Sequence, residues 1–442
     1  MKLTLIMPSI GRKPNQPYVS TWQMEPLVLA LLAALSPADW QITVQDDRME
    51  EINYDQPTDL VAITIETYTA RRAYQIAREY QKRGVKVVMG GYHASLWPHE
   101  VLQHADATVI GPAETIWEKV LCDAKAGKLE KEYLAPPLEK WHSIFPRREI
   151  YSEKKYLPLA LVEFSRGCRF HCSFCSITAL SKGRHYFRPP AEVAEEIKRT
   201  GQKVVFLIDD NIAVNYDAAL ELCRQLKPLN VKWVSQISVD AACRVDLIKA
   251  MADAGCMGLL IGFESLNPKL ISRLNKKCNG SIEAYETALK IVHQNKICVY
   301  GTFLFGIDGD TPASFKHTLD FILRHKLFLA AFNHLVPFPG TPLYAKLQAE
   351  NRLISDAWWL DSDFRFGKSP FKPTGFTIDE LAELCRRYRR KFYSLRSIIK
   401  RGFDLKANMQ NFSTAALFFS QNYFGRREVD EKFGLPLGFQ DS

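Results

Sequence analysis

Three cysteines at C-x3-C-x2-C spacing constrain this chain more than any other feature. Cys168, Cys172 and Cys175 lie in a short loop after a run with strand character, residues 159–164, and a Ser-Arg-Gly turn. Cysteine thiolates are the usual ligands of iron–sulfur clusters, which normally take four. A three-cysteine loop can ligate three irons of a cubane and leave the fourth iron open to a small molecule. The spacing therefore predicts a reaction centre at this loop.

Other interpretations of the cysteine loop remain open. Structural zinc would need His171 or a distant residue as its fourth ligand, and such sites usually bring two separated ligand pairs. No second pair follows in the sequence. A disulfide and buried, unligated thiols are the remaining alternatives. The other cysteines stand alone and are predicted to be packed small hydrophobic residues: Cys122, Cys223, Cys243, Cys256, Cys278, Cys298 and Cys385.

Length and composition indicate an ordinary globular protein. The chain has 442 residues, enough for two or three domains, and 47% of them are hydrophobic. Ten cysteines are too few for a secreted disulfide scaffold. The N-terminal apolar run is short and ends at Pro8, so it does not predict a signal peptide, and no apolar stretch is long enough to span a bilayer. A cytoplasmic protein is expected.

Residues 1–130 alternate strands with helices. This alternation predicts a doubly wound, Rossmann-like parallel sheet, followed by a proline-containing, charged linker over 131–156. The predicted strands are 2–7, 40–45, 59–65, 85–89 and 107–110, and the main helices are 24–35 and 70–82.

The carboxyl ends of these strands are where such sheets bind ligands. Gly90, Gly91 and Gly111 fall there, and so does Thr64. Glycines let a backbone approach a bulky ligand closely, although a tight turn explains them equally well. The absence of G-x-G-x-x-G argues against a dinucleotide site.

Residues 157–345 contain six strand–helix units. They predict an open, TIM-like (β/α)6 partial barrel, in which chemistry is located at the carboxyl ends of the strands. The cysteine loop follows strand one, Asp209 and Asp210 close strand two, Gln236 closes strand three and Glu264 closes strand four. Each of these residues taken singly also fits a solvated turn or a helix N-cap.

Residues 346–442 are predicted to be mostly helical. Within them, 378–401 carries an apolar stripe, and from Arg386 to Arg401 there are eight basic residues and no acidic one, which explains most of the formal net charge of +9. Such a helix can contact an anionic membrane peripherally or bind an acidic partner, or it can pack across the barrel mouth with solvated arginines. Nucleic-acid binding is not expected, because aromatic residues are not interleaved with the basic ones.

The cysteine loop, with Phe174 directly before its last cysteine, resembles the signature of the radical S-adenosylmethionine (SAM) superfamily. The resemblance implies a 4Fe–4S cluster on Cys168, Cys172 and Cys175, whose open iron chelates SAM and whose electron cleaves SAM to a 5′-deoxyadenosyl radical. It also implies SAM contacts along the barrel edge. These would be Asp209 or Asp210 at the amino group, Gln236 at the same edge, Glu264 at the ribose and Phe174 near the adenine.

The N-terminal third is similar to the cobalamin-binding domain of one branch of that superfamily. The Gly90-Gly91 pair matches the cobalamin contact of this domain. The D-x-H-x-x-G loop that supplies histidine to cobalt in many cobalamin proteins is absent, and residues 46–51 read DDRMEE. A domain without cobalamin is therefore the alternative. His93 is a candidate replacement ligand, but a lone histidine is more often structural.

Together these features predict a cobalamin-dependent radical SAM methyltransferase acting on an unactivated carbon of a small or hydrophobic metabolite, with a reducing partner such as flavodoxin or ferredoxin. The alternatives are a radical SAM enzyme of the same architecture with non-methylating chemistry and, from another class, a non-catalytic zinc-binding scaffold. Residues 337–342 are expected to shape the substrate rim. The candidate substrate-side groups are Tyr300, Phe305, His334 and Tyr344.

Overall fold

The computed structural model describes residues 1–13, 18, 23–138, 141, 144–404, 406 and 408–439. An all-parallel sheet of six strands occupies the N-terminal part, in the order β2-β1-β3-β4-β5-β6. The doubly wound fold is thereby confirmed. The strands are β1 Lys2–Met7, β2 Gln41–Asp46, β3 Leu60–Thr64, β4 Lys86–Gly90, β5 Ala107–Ile110 and β6 Glu132–Leu134; the helices are α1 Leu27–Leu35, α2 Ala70–Lys82, α3 Tyr92–Leu96, α4 Pro98–Val101 and α5 Trp117–Lys125.

Strand β6 lies inside the segment that the sequence assigned to a linker. It pairs in parallel with β5 at the sheet edge. Only the middle one of its three residues, Tyr133, is buried, and the Tyr133 hydroxyl donates to Asp123 (2.9 Å). A three-residue edge strand with one buried side chain has too little pattern to be recognised from sequence. The sheet therefore extends a few residues beyond position 130.

A second six-stranded parallel sheet forms the partial barrel, in the order β14-β13-β12-β11-β10-β7. Its order follows the chain, as six consecutive strand–helix units require, so the predicted architecture is confirmed. Its strands are β7 Ala160–Val162, β10 Val204–Leu207, β11 Lys232–Ile237, β12 Cys256–Glu264, β13 Cys298–Phe305 and β14 Leu329–His334; its helices are α7 Pro190–Thr200, α8 Tyr216–Leu226, α9 Val239–Ala242, α10 Val245–Asp253, α11 Pro268–Arg273, α12 Ile282–Gln294, α13 Pro312–Arg324 and α14 Pro342–Ala349.

A small antiparallel hairpin, which the sequence did not predict, stands between the first barrel strand and α7. It pairs β8 Ser165–Gly167 with β9 His185–Phe187 and carries the cysteine loop and α6 Ser176–Ser181 between its strands. The sequence analysis treated residues 165–167 as a plain turn. The hairpin gives the cysteine loop two backbone anchors instead of one.

The C-terminal region joins the two sheets. Trp358, Trp359 and Phe364 are buried in the core of the N-terminal domain. The chain returns there at its end, where Gly438 bridges to Gly11. No helix of the described residues is long and apolar enough to cross a membrane.

The basic segment 378–401 is two helices, not one: α15 Ile378–Phe392 and α16 Leu395–Gly402, followed by α17 Phe412–Lys432. Ser394 breaks the predicted helix because its side chain caps α16 by accepting from the Ser397 amide. Arg401, predicted on the basic face, is fully buried and donates to the carbonyls of Leu327 and Phe328 (both 2.9 Å). The outward basic face is therefore smaller than the sequence suggested.

Candidate active site

The cysteine loop follows β8 and ends at the first residue of α6. Cys172 is buried, whereas Cys168 and Cys175 are half-buried, and none is in a disulfide. The Ser173 amide donates to the Leu274 carbonyl (3.0 Å), which fixes the loop against the barrel. The loop that carries the three thiols is thus held at the carboxyl end of the first barrel strand.

The thiols lie close enough to influence one another. Burial is the main reason that the pKa of Cys172 is raised to about 12; Lys276 opposes this shift, and Cys278, Cys175 and Cys168 make smaller contributions that raise the pKa. Such thiols need a bound metal to remain thiolates. No three His, Cys, Asp or Glu side chains in the described ranges surround one metal-ion position. Three thiols on one loop are donors suited to three irons of a cluster.

Asp209 and Asp210 brace the hairpin that carries this loop. The Ser165 amide donates to Asp209 Oδ1, and the Gly167 amide donates to Asp210 Oδ2 (2.7 Å). Burial raises the pKa of Asp209 to about 8 and that of Asp210 to about 6. Asp209 Oδ2 has no hydrogen-bond partner among the residues that the structure describes. Contact of either carboxylate with SAM stays a prediction. The structure shows in addition that both carboxylates hold the hairpin backbone in place.

Gln236 and Glu264 lie at the same edge and are engaged with their own neighbours. Gln236 Nε2 donates to the Asp209 carbonyl. Glu264, at a left-handed φ of 60°, forms an ion pair with Lys276, whose Nζ also donates to the Gly262 carbonyl (2.9 Å). Lys276 was missed from sequence, because a lysine in a loop after a short helix carries no signal.

A cavity of about 390 Å³ lies between the cysteine loop, the end of β14 and the C-terminal helices. Phe174 and His334 line it, as expected for groups near the reaction, and Phe338 of the predicted rim does so too. Phe305 and Tyr344, which were expected to face substrate, do not line this cavity. Phe305 stacks on aromatic neighbours in the core, and the Tyr344 hydroxyl donates to the Asp356 carbonyl (2.6 Å). Tyr300 is not among the lining residues.

The α15 arginines are the main cavity residues that the sequence analysis missed. Arg386 and Arg389, predicted on a solvated or membrane-facing surface, line the cavity together with Glu428 and Lys432 of α17. Their i, i+3 spacing shows that they share one helix face, but not what that face meets.

Gly91 and Gly111 at the edge of the N-terminal sheet are required by the protein's own packing. Gly91 has a φ of 104°, and a Cβ there would lie 2.8 Å from the Ile65 carbonyl oxygen and 3.0 Å from Thr64 Oγ1. Gly111 has a φ of 95°, and its Cβ would lie 3.3 Å from that of Ala135. Gly90 ends β4 with an ordinary φ. Their contact with cobalamin stays a prediction.

Tyr92 lies where the carboxyl edge of the N-terminal sheet faces the barrel. Tyr92 exposes 42% of its surface, yet burial raises its pKa, as do the charges of Asp210 and Glu163 from the barrel side. Glu66 is likewise exposed while burial raises its pKa. Both side chains lie at the carboxyl end of the N-terminal sheet, where sheets of this kind bind ligands.

The region where many cobalamin proteins carry the histidine loop is filled with ion pairs. Buried Asp46 accepts from Arg48 Nη2 (2.6 Å) and from the Tyr156 hydroxyl (2.9 Å). Buried Asp47 accepts from Arg72 Nη2 (2.7 Å) and from Ser9 Oγ (2.6 Å). These carboxylates therefore hold the strand ends together.

His93 is structural. It is fully buried, with Nδ1 3.2 Å from Thr67 Oγ1 and Nε2 3.1 Å from Glu100 Oε1. Both ring nitrogens are engaged, so neither is available to cobalt.

Arg166 connects the carboxyl edges of the two sheets. Its Nη2 contacts Glu114 of the N-terminal domain (2.8 Å) and Glu163 of the barrel (2.7 Å). Since Arg166 is on β8, two residues before Cys168, this pair ties the cysteine loop to the end of β5.

Comparison with known proteins agrees with this arrangement. Residues 162–322 match the radical SAM superfamily and residues 24–121 match the B12 binding domain. The bacteriochlorophyllide d C-12(1)-methyltransferase of Chlorobaculum tepidum is 30% identical over 85% of this chain and 84% of its own. The C-8(2)-methyltransferase of the same organism is 28% identical over 75% and 78%. The chain belongs to the cobalamin-dependent radical SAM family.

The fold of this family is also seen in a solved structure. The radical SAM methyltransferase TsrM of Kitasatospora setae, solved with cobalamin and a 4Fe–4S cluster, shares the fold with a TM-score of 0.68, at 16% identity over 97% of this chain and 98% of its own. The predictions of a radical SAM enzyme, of a methyltransferase, and of the 4Fe–4S cluster, SAM and cobalamin as cofactors are confirmed. The individual contact residues stay predictions.

Proposed function

We propose that this cobalamin-dependent radical SAM methyltransferase acts on an unactivated carbon of a flat, hydrophobic metabolite, with a tetrapyrrole as the leading class. The supporting observation is the aromatic cavity beside the cysteine loop. Its volume of about 390 Å³ is in the range of small-molecule sites and accommodates part of a macrocycle. The names of the two relatives point to the same class of acceptor.

The residues would divide the work by position. When bound, the cluster supplies the electron that cleaves SAM and cobalamin carries the methyl group. Cys168, Cys172 and Cys175 would hold the cluster, and Asp209 and Asp210 keep its loop in place. Tyr68 and Phe174 line the cavity and exclude water beside the loop.

The test is methyl transfer by anaerobically reconstituted protein. Isotope-labelled SAM, a reductant and a chlorin acceptor are expected to give 5′-deoxyadenosine and methylated chlorin together, and only when cobalamin is present. Cys122→Ala, at an exposed and isolated cysteine, is the matched control for loop substitutions. 5′-Deoxyadenosine without methylated product would favour the non-methylating alternative, and cobalamin-independent methylation would contradict the proposal.

We further propose that α16 contacts the membrane surface peripherally. Leu395, Ile399 and Phe403 follow one another at i, i+4 and i+8 and expose 66%, 56% and 78% of their surfaces. Arg396 and Lys400, beside them, are exposed and basic. An exposed apolar face next to basic residues is suited to an anionic lipid surface.

Vesicle sedimentation tests this contact. We expect binding to vesicles containing phosphatidylglycerol and loss of binding in Ile399→Glu. Val245→Glu introduces the same charge at another exposed apolar residue (60% exposed) and should retain binding. Equal binding by both variants would contradict the contact.

We place the enzyme in the cytoplasm, where a small reducing protein such as flavodoxin or ferredoxin would supply the electron and the cysteines stay reduced.

A further inference from the structure

One end of the substrate cavity is positively charged. Arg386 and Arg389 reach it from α15, and Lys432 and Glu428 reach it from α17. The remaining lining is largely aromatic and aliphatic. An apolar cavity with one charged end favours a ligand that has a large apolar part and a charged group of opposite sign.

The arginines of this end are incompletely paired. Arg389 Nη2 lies 3.8 Å from Glu428 Oε2, a long contact, whereas Glu428 Oε1 is 2.5 Å from Lys432 Nζ. Arg386 reaches Asp430 at 3.4 Å. The Nε atoms of Arg386 and Arg389 are buried and have no hydrogen-bond partner in the described part of the chain. Unmet guanidinium donors in an enclosed site favour an anion.

The charge balance indicates how much negative charge fits. The ion-paired groups of α15 and α17 at this end of the cavity, paired within each helix or between the two helices, comprise four cations and three carboxylates, which leaves one net positive charge. The members are Arg386, Arg389, Arg390, Lys432, Glu383, Glu428 and Asp430. One carboxylate on the ligand would neutralise the group, whereas a dianion would exceed it.

His334 supplies a second polar feature away from the arginines. It lies at the end of β14, lines the cavity and exposes only 9% of its surface. Its Nε2 is buried without a hydrogen-bond partner among the described residues. Burial lowers the pKa of His334 to about 4, so the ring is neutral near pH 7 and adds no charge. A neutral imidazole offers a hydrogen bond to an uncharged polar group.

We propose that the substrate of this site is a monocarboxylate with a large apolar ring system, whose carboxylate binds between Arg389 and Arg386 while His334 hydrogen-bonds a neutral polar group. This inference rests on the proposed function, since it specifies the substrate of the same cavity. The aromatic wall of Tyr68, Phe174 and Phe338 holds the ring system beside the cysteine loop. The anion contact fixes which carbon of the ring system faces that loop.

The test compares a chlorin monocarboxylic acid with its methyl ester, by fluorescence, on the reconstituted enzyme. The wild type should bind the acid about tenfold or more tightly than the ester, because a charge-assisted contact is stronger than a neutral one. Arg389→Gln should reduce acid binding to the level of the ester and leave ester binding unchanged. Arg387→Gln, on the exposed face of α15, should preserve the preference.

A second variant has the opposite expected effect. Glu428→Gln removes the carboxylate that competes for Arg389, so acid binding should tighten while ester binding stays the same. A variant that is merely misfolded would weaken both ligands. Equal binding of acid and ester by the wild type, or equal weakening of both in Arg389→Gln, would overturn the inference.

Binding and turnover separate the two proposals. Acid-selective binding without methyl transfer to the chlorin would leave the inference standing and contradict the proposed tetrapyrrole acceptor. Methyl transfer to the chlorin with equal binding of acid and ester would support the proposed tetrapyrrole acceptor and contradict the inference.

Discussion

The two parallel sheets present their carboxyl edges to each other, but their polar groups are used differently. At the N-terminal edge Asp46 and Asp47 are ion-paired, and both nitrogens of His93 are engaged. At the barrel edge the three thiols carry no disulfide, and Asp209 Oδ2 lacks a partner in the described ranges.

This difference indicates two modes of holding a cofactor. At the N-terminal edge, tight glycine turns offer shape, and none of the described side chains Asp46, Asp47 and His93 is available to ligate cobalt. An edge that carries three thiols without a disulfide on one loop offers ligation. Unsatisfied buried groups are costly, so they persist where a bound group pairs with them.

The largest expected effect is at the barrel edge. Cys172→Ala should lower SAM cleavage more than about 100-fold, because one cluster ligand is lost. Cobalamin content should remain near wild type, since the other edge is untouched. Iron, sulfide and 5′-deoxyadenosine measurements check the first part and the cobalamin absorption spectrum the second. Retained SAM cleavage would refute the cluster assignment, and Cys122→Ala should behave as wild type.

The next effect concerns the ion pairs of the N-terminal edge. Arg72→Met leaves Asp47 buried without its partner and should lower the free energy of unfolding by about 3–5 kcal/mol. Urea unfolding measures it. Arg78→Met, exposed on the same helix, should stay within about 0.5 kcal/mol of wild type. Similar small effects of both variants would show that the edge does not depend on the buried pair.

Substitution of Gly91 tests whether the tight turn at the N-terminal edge is needed for cobalamin binding, and Gly127 is its control. Both have a left-handed φ, but a Cβ meets the Ile65 backbone at Gly91 and meets nothing within 4 Å at Gly127. Gly91→Ala should therefore destabilise by about 1–3 kcal/mol and reduce cobalamin content, whereas Gly127→Ala should cost about 1 kcal/mol and leave the content unchanged. Equal cobalamin content in the two variants would show that the turn at Gly91 is not needed for cobalamin binding.

A pH dependence of stability is expected at the barrel edge. The pKa of Asp209 is about 8 in the folded protein and near 3.8 when unfolded, so between these values the folded state binds more protons. Stability should fall as pH rises through this window, and Asp209→Asn should flatten that fall. Asp39→Asn is the control, because Lys125 lowers the pKa of Asp39 and keeps it ionised there. An unchanged slope in Asp209→Asn would contradict the assignment.

Local patterns were sufficient for the architecture. Apart from the edge strand β6, the strands of both six-stranded sheets were predicted within a few residues, because buried strands are short continuous apolar runs. The six barrel strands and the loop after the first of them required no long-range information. The hairpin of β8 with β9 and the edge strand β6 were missed, since three-residue strands depend on a partner that the sequence does not indicate.

The sequence by itself was sufficient to predict the cluster ligands, because Cys168, Cys172 and Cys175 lie on one loop and their spacing is a local property. It also determined the order of the two domains. Only the tertiary structure decided that both ring nitrogens of His93 are hydrogen-bonded, that Asp209 accepts from the backbone of the hairpin that carries the cysteine loop, and that Arg389 lines the cavity. The physical reason is that the role of a polar side chain depends on what packs against it, and these partners come from distant parts of the chain.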